Sequence, residues 1–199
     1  MDLTTLGRTL GFSFAAGVNL YATVAILGLA ARYDWVSLPP QFQTFNNDVV
    51  IIAAVVLYLI EFFADKIPYI DTLWDMLHTL IRPVGGALIA VTTLGDASPT
   101  VEGLVALLGG TIAAGSHLTK TSTRAVANSS PEPFSNWILS VVEDIFVVGL
   151  GVLALQYPLV AMVVAVGLTA LIAVFATVIV RIVRRWFGRR RAFRTGASG

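Results

Sequence analysis

Residues 61–86 read EFFADKIPYIDTLWDMLHTLIRPVGG and lie between two strongly apolar segments of the chain. They contain six acidic or basic side chains, one His and two Pro. A charged side chain at the centre of a bilayer costs about 2.5–3.5 kcal/mol on insertion scales, and such groups usually face a protein interior or a water-filled cavity. We therefore interpret this stretch as the polar, functional centre of a membrane protein.

The composition of the whole chain supports the same class. Of its 199 residues, 56% are hydrophobic and 13% are charged, whereas about a quarter of the residues of a soluble domain are charged. The chain contains no Cys, which excludes disulfides, thiolate metal sites and cysteine nucleophiles. Redox chemistry at sulfur is therefore excluded.

The apolar pattern predicts an all-α integral membrane protein with about six transmembrane or half-spanning helices, since about 20 apolar residues cross the hydrocarbon core. Residues 9–31 carry no charge and, lacking the basic start of a cleaved signal peptide, are expected to form an uncleaved first span. The fourth element is expected to break or leave the membrane near Gly115, because residues 116–130 carry charged side chains and seven Ser or Thr. The other predicted elements are residues 49–64, residues 71–94 with an interruption or kink at Pro83, and two helices within residues 145–180 that Gln156, Tyr157 and Pro158 separate.

A pattern of small and apolar residues occurs twice in the chain. Residues 10–23 and 108–121 share seven identities in fourteen positions, Leu-Gly-x-x-x-Ala-Ala-Gly-x-x-Leu-x-x-Thr, at a constant offset of 98. Each copy begins a predicted half of three helices, and an odd number of spans in each half makes the two halves inverted repeats. The predicted units are residues 1–97, residues 98–184 and a basic cytoplasmic tail of residues 185–199.

Inverted repeats with interrupted helices are typical of secondary transporters, whose binding sites lie near the bilayer midplane at the repeat interface. Gly17 and Gly115 occupy the same position in the two copies, and Gly lets a backbone break or approach another closely. We therefore predict that the helices break at these two residues. Ordinary packing of small residues in lipid is the alternative.

Lys and Arg are distributed unevenly along the chain, which predicts its orientation. With a cytoplasmic N-terminus, the inner side receives Arg8, Lys66, Lys120, Arg124 and the basic C-terminal residues, and only Arg32 falls outside. The expected location is the inner membrane of a bacterium, in multi-pass form with both termini in the cytoplasm. The Arg residues around Trp186 are expected to anchor the chain at the membrane interface.

Four short motifs lie across the predicted helices: Glu61-x-x-x-Asp65-Lys66-x-Pro68-x-x-Asp71, Arg82-Pro83-x-Gly85-Gly86-Ala87, Ala15-Ala16-Gly17, and LGLAAR at residues 27–32. With these motifs, residues 10–180 resemble the bacterial membrane family called domain of unknown function 4126, and Asp-Lys-x-Pro-x-x-Asp is the most specific part of the resemblance. The resemblance implies the boundaries and the polar centre, and it implies no activity. An acid followed by a Pro-containing turn between short helices is also loosely similar to the DedA-type membrane proteins, which are implicated in lipid-carrier translocation.

Eight side chains are predicted to form the polar coupling centre, namely Glu61, Asp65, Asp71, Asp75, His78, Arg82, Glu143 and Asp144. Two of them, Glu61 and Asp65, lie one helical turn apart, which suits a proton or cation site; an ion pair of Asp65 with Lys66 or Arg82 is the alternative. Positions 71, 75, 78 and 82 share one helix face. That face is either a proton relay, since His titrates near neutral pH, or the solvated stripe of an amphipathic helix on the membrane surface.

A second group is predicted to bind an anionic part of a substrate, namely His117, Lys120, Arg124 and Asn19. Residues 116–130 combine positive charge with many hydroxyl groups, as sites for phosphate or carboxylate do; a cytoplasmic loop is the alternative. A zinc site would need Asp75 and His78 together with a third ligand from His117, and we predict neither a metal nor a cofactor.

The predicted function is that of a small transporter-like protein that moves an anionic or lipid-linked solute with proton coupling through intramembrane acids. An intramembrane enzyme acting on lipid head groups and a non-catalytic scaffold are the alternatives. No third group is spaced to orient a nucleophile beside the carboxylates, so no catalytic residue is predicted.

The expected partners are the lipid bilayer and an anionic lipid or small-molecule substrate; nucleic acid is not expected, and a homo-oligomer is left open. Closeness of Glu61 and Glu143 would favour transport, a metal between Asp75, His78 and His117 would favour the enzyme, and a dry, fully packed centre would favour the scaffold.

Overall fold

The computed structural model describes residues 2–128 and 133–195, with the side chains of Pro68, Pro133 and residues 187–195 excepted. Within these residues the chain forms seven α-helices and one 3₁₀ helix: α1 (Leu3–Val18), α2 (Leu20–Arg32), the 3₁₀ helix (Pro40–Phe45), α3 (Asp48–Ala64), α4 (Pro68–Leu94), α5 (Pro99–Asn128), α6 (Pro133–Gln156) and α7 (Pro158–Thr195). The predicted all-helical class is confirmed.

Within the described residues, four helices are long and apolar enough to cross a membrane, namely Tyr69–Leu94, Pro99–Asn128, Phe134–Gln156 and Pro158–Trp186. Helix α2 is apolar but shorter, with 13 residues, and α3 has 17. The structure therefore supports a membrane protein with four candidate spans.

Proline marks the start of each of the four longest helices, because Pro68, Pro99, Pro133 and Pro158 are their first residues. The fixed φ of Pro suits the first helical position, where the missing N–H would have no partner within the helix. Helix α4 continues through its internal Pro83 and ends at Leu94, and the next residue, Gly95, has a φ of 76° that favours glycine. These residues set the boundaries of the helices that carry the polar centre.

The predicted first span, residues 9–31, is divided between two helices, but the break does not lie at Gly17. Helix α1 ends at Val18 and α2 begins at Leu20, and Asn19 between them has extended backbone angles, φ −148° and ψ 102°. The Asn19 side chain accepts a hydrogen bond from Ala22 N at 2.9 Å, and Asn is among the best residues for capping a helix N-terminus. The helix therefore breaks at Asn19, two residues beyond the predicted position Gly17.

Gly17 itself remains helical and allows close packing. A Cβ atom at this position would lie 1.9 Å from Ser116 Oγ and 2.2 Å from the carbonyl oxygen of Ala113. Helix α1 consequently crosses α5 at a distance that only glycine permits.

The predicted break at Gly115 is also wrong, because α5 runs without interruption from Pro99 to Asn128. The polar residues after Gly115 do not end the helix, since several hydroxyls bond to carbonyls in the preceding turn: Thr119 Oγ1 donates to Gly115 O at 2.9 Å and Ser122 Oγ to Leu118 O at 2.6 Å. The two charged side chains that follow Gly115 in α5, Lys120 and Arg124, are buried against other helices. The helix therefore tolerates a sequence that would be costly if it faced lipid.

Helix α1 occupies the centre of the fold and packs against α4, α5, α6 and α7. Its residues 9–18 are all buried. Small residues bring α4 and α5 together, since a Cβ on Gly86 would lie 2.4 Å from Ala113 Cβ, and one on Gly109 2.4 Å from Ala90 Cβ. Within an apolar stretch of 18 residues in α7, only 6% is buried. Apart from the side that packs against α1, this helix therefore presents its apolar side chains outward.

The predicted basic tail, residues 185–199, begins within α7, which continues to Thr195. Its last four residues, 196–199, lie outside the described part of the chain.

Candidate functional site

A buried cluster of charged side chains joins α3, α4, α5 and α6. This charge cluster contains five carboxylates and three cationic groups: Glu61 and Asp65 at the end of α3, Asp71, Asp75 and Arg82 on α4, Lys120 and Arg124 on α5, and Glu143 on α6. The side chains of Glu61 and Arg82 expose none of their surface, and those of Lys120 and Arg124 expose 2% and 1%. Charges buried so deeply require opposite charges and hydrogen bonds to replace water.

Helical spacing explains why these side chains meet. Inward-facing polar residues recur every three or four positions on three helices: Asp71, Asp75, His78 and Arg82 on α4; His117, Lys120 and Arg124 on α5; and Asn136, Ser140 and Glu143 on α6. The stripe on α4 is buried and is not the solvated face of a helix lying on the membrane surface. One of the two interpretations left open by the sequence is thereby removed.

Glu61 accepts hydrogen bonds from two cationic side chains through a single carboxylate oxygen. Its Oε1 lies 2.6 Å from Arg82 Nη2 and 3.2 Å from Lys120 Nζ. Its Oε2 is buried and has no hydrogen-bond partner among residues 2–128 and 133–195. The carboxylate is therefore held from one side only.

Lys120 bridges acids that are distant in sequence. Its Nζ lies 3.2 Å from Glu61 Oε1, 3.1 Å from Asp65 Oδ2 and 3.6 Å from Glu143 Oε2. Glu61 and Glu143, which the sequence assigns to the two predicted halves, thus share one ammonium group.

Arg124 uses all five of its N–H donors in contacts with the charge cluster and with Asn136 of α6. Nη2 donates to Asp65 Oδ2 at 2.8 Å and to Glu143 Oε2 at 2.6 Å. Nη1 donates to the carbonyl oxygen of Asp65 at 2.8 Å and to Asn136 Oδ1 at 3.0 Å, and Nε donates to Glu143 at 3.1 Å. Paired contacts of this kind are among the strongest that a guanidinium makes, and they fix α5 to α6 and to the end of α3.

Arg82 connects the cluster to the break between α1 and α2. Its Nη1 lies 3.3 Å from Gly17 O, in the last turn of α1, where the helix dipole is negative. The same nitrogen donates to His117 Nδ1 at 2.9 Å. Because a guanidinium can only donate, His117 carries its hydrogen on Nε2, which lies 3.3 Å from Thr79 Oγ1.

His78 lies in a smaller aromatic group beside the cluster. Its Nδ1 donates to Trp74 O at 2.7 Å, its Nε2 lies 2.8 Å from the Tyr21 hydroxyl, and its ring stacks on Trp74 with centroids 4.7 Å apart. His78 is therefore held by α2 and by its own helix.

Asp144 and Asn19 meet at the other side of the helix break. Asn19 Nδ2 donates to Asp144 Oδ1 at 3.4 Å, so the start of α2 faces a carboxylate. The sequence predicted that Asn19 binds an anion together with Lys120 and Arg124. In the structure its side chain instead contacts Asp144 and the first turn of α2.

Lys66 lies in the turn between α3 and α4, and burial lowers the pKa of its ammonium group. Its Nζ donates to Phe62 O at 2.9 Å and lies 3.0 Å from the centroid of the Phe62 ring. Both contacts are with Phe62 of α3, and within the described residues Lys66 takes no part in the ion pairs of the charge cluster.

Acid exceeds base in the charge cluster, where five carboxylates face three cationic groups. Several buried carboxylate oxygens among the described residues accept no hydrogen bond, namely Glu61 Oε2, Asp65 Oδ1, Asp71 Oδ1, Asp75 Oδ1 and Asp144 Oδ2. An unpaired buried charge is costly. The cluster is therefore suited to taking up protons or a cation.

Three of the four predicted anion-binding residues, Asn19, Lys120 and Arg124, have carboxylate partners in this structure. Lys120 and Arg124 contact Asp65 and Glu143, and His117 accepts from Arg82. An incoming anion would have to displace these carboxylates.

No group of three His, Cys, Asp or Glu side chains within the described residues is arranged to hold a metal ion. Asp75, His78 and His117 thus do not come together as a metal site in this part of the chain.

Four further residues of the site were missed by the sequence: Tyr21, Trp74, Thr79 and Asn136. The spacing of Asn136 relative to Glu143, seven residues on the same helix face, was a usable signal. No such signal exists for Tyr21, because its hydrogen-bond partner, His78, is far away in the sequence.

Two cavities adjoin the site. A polar one of about 310 Å³ lies between the start of α4 and the end of α5, and an apolar one of about 390 Å³ lies between α2, α3 and α4. Asp71, Asp75 and Arg124 line the polar cavity, and Tyr21 lines the apolar one. The charge cluster is thus not fully packed on the side that faces the polar cavity.

A family model described as "Domain of unknown function (DUF4126)" matches residues 6–178, and the chain belongs to that family. Neither a curated protein nor a solved structure matches the chain.

Proposed function

We propose that this member of the family is a small membrane transport protein in which the buried charge cluster carries protons across the bilayer interior. The observation that carries the proposal is the contact of Glu61 and Glu143 with one ammonium group, that of Lys120. An ammonium shared by several carboxylates can follow whichever of them is ionised, so adding or removing one proton rearranges the ion pairs. Such a rearrangement would couple the binding or release of a proton to a change in the contacts between helices.

The discontinuous helix α1/α2 supports the proposal. Transporter sites are commonly formed where a helix is interrupted and its ends face the polar centre. Here the last turn of α1 accepts from Arg82 through Gly17 O, and the first residue before α2, Asn19, donates to Asp144.

The proposed architecture counts the α1/α2 pair as one interrupted span, followed by α3, α4, α5, α6 and α7. This gives six crossings, with residues 1–97 and 98–184 as inverted halves and both termini in the cytoplasm of a bacterial inner membrane. Helix α3, at 17 residues and 1.5 Å per residue, is about 25 Å long and crosses a slightly thinned core.

The two other candidate functions gain less support from the contacts. An enzyme acting on lipid head groups would use a metal or a nucleophile with its base, and the carboxylates of the cluster are instead paired with cations. A scaffold with a dry, packed centre would leave few buried carboxylate oxygens without partners. The anionic or lipid-linked solute expected from the sequence remains a prediction.

The test is proton flux in reconstituted vesicles of phosphatidylethanolamine and phosphatidylglycerol that contain trapped pyranine, with the membrane potential clamped by potassium and valinomycin. We expect the wild-type protein to dissipate an imposed pH gradient several times faster than protein-free vesicles. Glu61→Gln keeps the side-chain shape but cannot ionise, and we expect it to return the rate to the protein-free level. The matched control is Glu102→Gln, which changes a partly exposed acid in the first turn of α5.

Glu61→Gln leaves two buried cations with a weaker partner, so its fold is checked by gel filtration and by its unfolding midpoint. Glu143→Gln is the second variant, because Glu143 is less buried, with 12% of its side chain exposed. Wild-type rates no faster than protein-free vesicles, or folded variants as fast as wild type, would refute the proposal.

A further inference from the structure

The apolar cavity between α2, α3 and α4 has a volume of about 390 Å³. Each of the three helices forms one wall, with Tyr21 and Val24 on α2, Ala53 and Leu57 on α3, and Leu88 on α4. Pockets that hold small ligands have volumes of about 300–1,000 Å³ and mostly apolar walls. The cavity is therefore large enough to hold a ligand.

The attachment of α3 to its neighbours explains why the cavity exists. At the end of α3, Glu61 forms an ion pair with Arg82 of α4 at 2.6 Å. Near its start, Ile51 lies against α2 at Gly28. The cavity occupies the cleft that α3 and α4 leave between these two points of contact.

The lining of the cavity suits neither an ion nor a polar ligand. Among the described residues it includes no charged side chain. Its two hydroxyl groups are already engaged, since Thr92 Oγ1 donates to Leu88 O at 2.9 Å and the Tyr21 hydroxyl lies 2.8 Å from His78 Nε2. Because Nδ1 of His78 donates to Trp74 O, Nε2 of the neutral ring accepts from Tyr21. The ligand that fits this lining is a hydrocarbon.

The mouth of the cavity opens toward the bilayer. At the mouth Ala53 is exposed and Leu88 is 64% exposed. The apolar residues beside them, Ile52 and Val56 on α3 and Val84 on α4, are exposed as well. The wall formed by α4 lies within the candidate span Tyr69–Leu94, so hydrocarbon borders the mouth. An apolar cavity stays dry and takes up apolar molecules.

We infer that this cavity binds one fatty-acyl chain of a bilayer phospholipid. Polar residues mark one end of the cleft, with Asn47 and Asp48 at the start of α3 and Asp96 just after α4. The lipid head group lies at this end, and the methyl end of the chain points toward Tyr21. The inference goes beyond the proposed proton transport and does not depend on it.

The test uses the full chain with Trp35, Trp137 and Trp186 replaced by Phe, so that Trp74 is the only Trp. The ring centroid of Trp74 lies 6.4 Å from that of Tyr21, and bromine quenches Trp fluorescence at short range. The protein in maltoside micelles is titrated with phosphatidylcholine whose acyl chains carry bromine near the methyl end. At low mole fractions of lipid the belt around the protein is detergent, so saturable quenching reports a bound chain. We expect saturable quenching, and weaker quenching when the bromine lies near the ester group.

Two substitutions fill the cavity from different walls, Ala53→Phe from α3 and Val24→Phe from α2. We expect each to raise the half-saturating mole fraction of lipid about tenfold or more, which corresponds to at least about two CH₂ groups losing their buried contacts. Val56→Phe is the matched control, because it adds the same side chain to an outward-facing position of α3. We expect it to leave the titration unchanged. The fold of each variant is checked by gel filtration and by its unfolding midpoint, and Ala53→Phe keeps the test available if Val24→Phe does not fold.

Three outcomes would overturn the inference. They are the absence of saturable quenching in the folded protein, equal titrations for Ala53→Phe and Val56→Phe, and equal quenching from both bromine positions. Dimerisation that abolishes the quenching, seen by gel filtration at raised protein concentration, would instead assign the cavity to a second copy of the chain. None of these outcomes depends on proton flux, so the acyl-chain site and the transport proposal stand or fall separately.

Discussion

Two glycines at matching positions of the repeated motif are expected to respond in opposite ways to the same substitution. In Gly17→Ala the new Cβ would lie 2.2 Å from the carbonyl oxygen of Ala113 and 1.9 Å from Ser116 Oγ. The backbone oxygen cannot rotate away, so α1 and α5 must separate. In Gly115→Ala the nearest atom outside the surrounding helix is Ile172 Cγ2 at 4.0 Å, which is ordinary van der Waals contact.

The expected magnitudes follow from two terms. Ala is favoured over Gly in a helix by about 0.8–1.0 kcal/mol, and this gain is common to both sites. Overpacking costs about 1–3 kcal/mol, and because a backbone atom is involved we take the upper end for Gly17. Gly17→Ala should therefore lower the free energy of unfolding by about 2 kcal/mol, and Gly115→Ala should raise it by up to about 1 kcal/mol.

The measurement is unfolding by sodium dodecyl sulfate in mixed micelles, followed by the fluorescence of the four Trp residues. Since the helix-propensity term cancels, the gap of about 3 kcal/mol between the two variants reports the close contact of α1 with α5. Equal shifts in the two variants would refute the close approach at Gly17, and a stabilised Gly17→Ala would do so more strongly.

Three further predictions concern the charge cluster, the helix break and the orientation. Lys120→Gln should lower the free energy of unfolding by about 3–5 kcal/mol, because it leaves buried carboxylates without their cation, whereas Lys66→Gln should cost about 1 kcal/mol or less; similar losses in the same micelle assay would contradict the bridging role of Lys120. Asn19→Ala should cost about 1 kcal/mol through the lost cap of α2, and Asn19→Ser should recover most of it, so an unchanged midpoint in Asn19→Ala would count against the cap. Single Cys residues at Ser37 and Ser98 should react with an impermeant thiol reagent added to intact cells, and one at Ser198, which lies outside the described residues, should not; labelling of the last would reverse the proposed orientation.

The sequence predicted the polar face of α4 well because the determinant is local. Residues spaced by four, three and four positions share a helix face whatever surrounds the helix. That the face is buried depends on partners such as Lys120 and Arg124, which are distant in sequence and whose pairing no local pattern specifies.

The two helix-break predictions failed for a different physical reason. A small residue is compatible both with close packing of two helices and with a break in a helix. Gly17 allows close packing of α1 against α5, whereas the break lies at Asn19, a strong capping residue. In α5, hydroxyl groups that bond to their own helix let a polar segment stay helical. Reading capping potential along with glycine content would have placed the first break correctly.

Helix α3 is attached to the rest of the molecule in two different ways. Near its start, Ile51 and Ala54 are buried, and Ile51 lies against α2 close to Gly28. At its other end, the contacts to α4 and α5 include the ion pairs of Glu61 and Asp65. Coulomb energy falls as the effective dielectric constant rises, by about fourfold between 20 and 80. Water that enters the cluster would therefore loosen one end of α3 and leave the other end attached, so that the helix would pivot about its contact with α2.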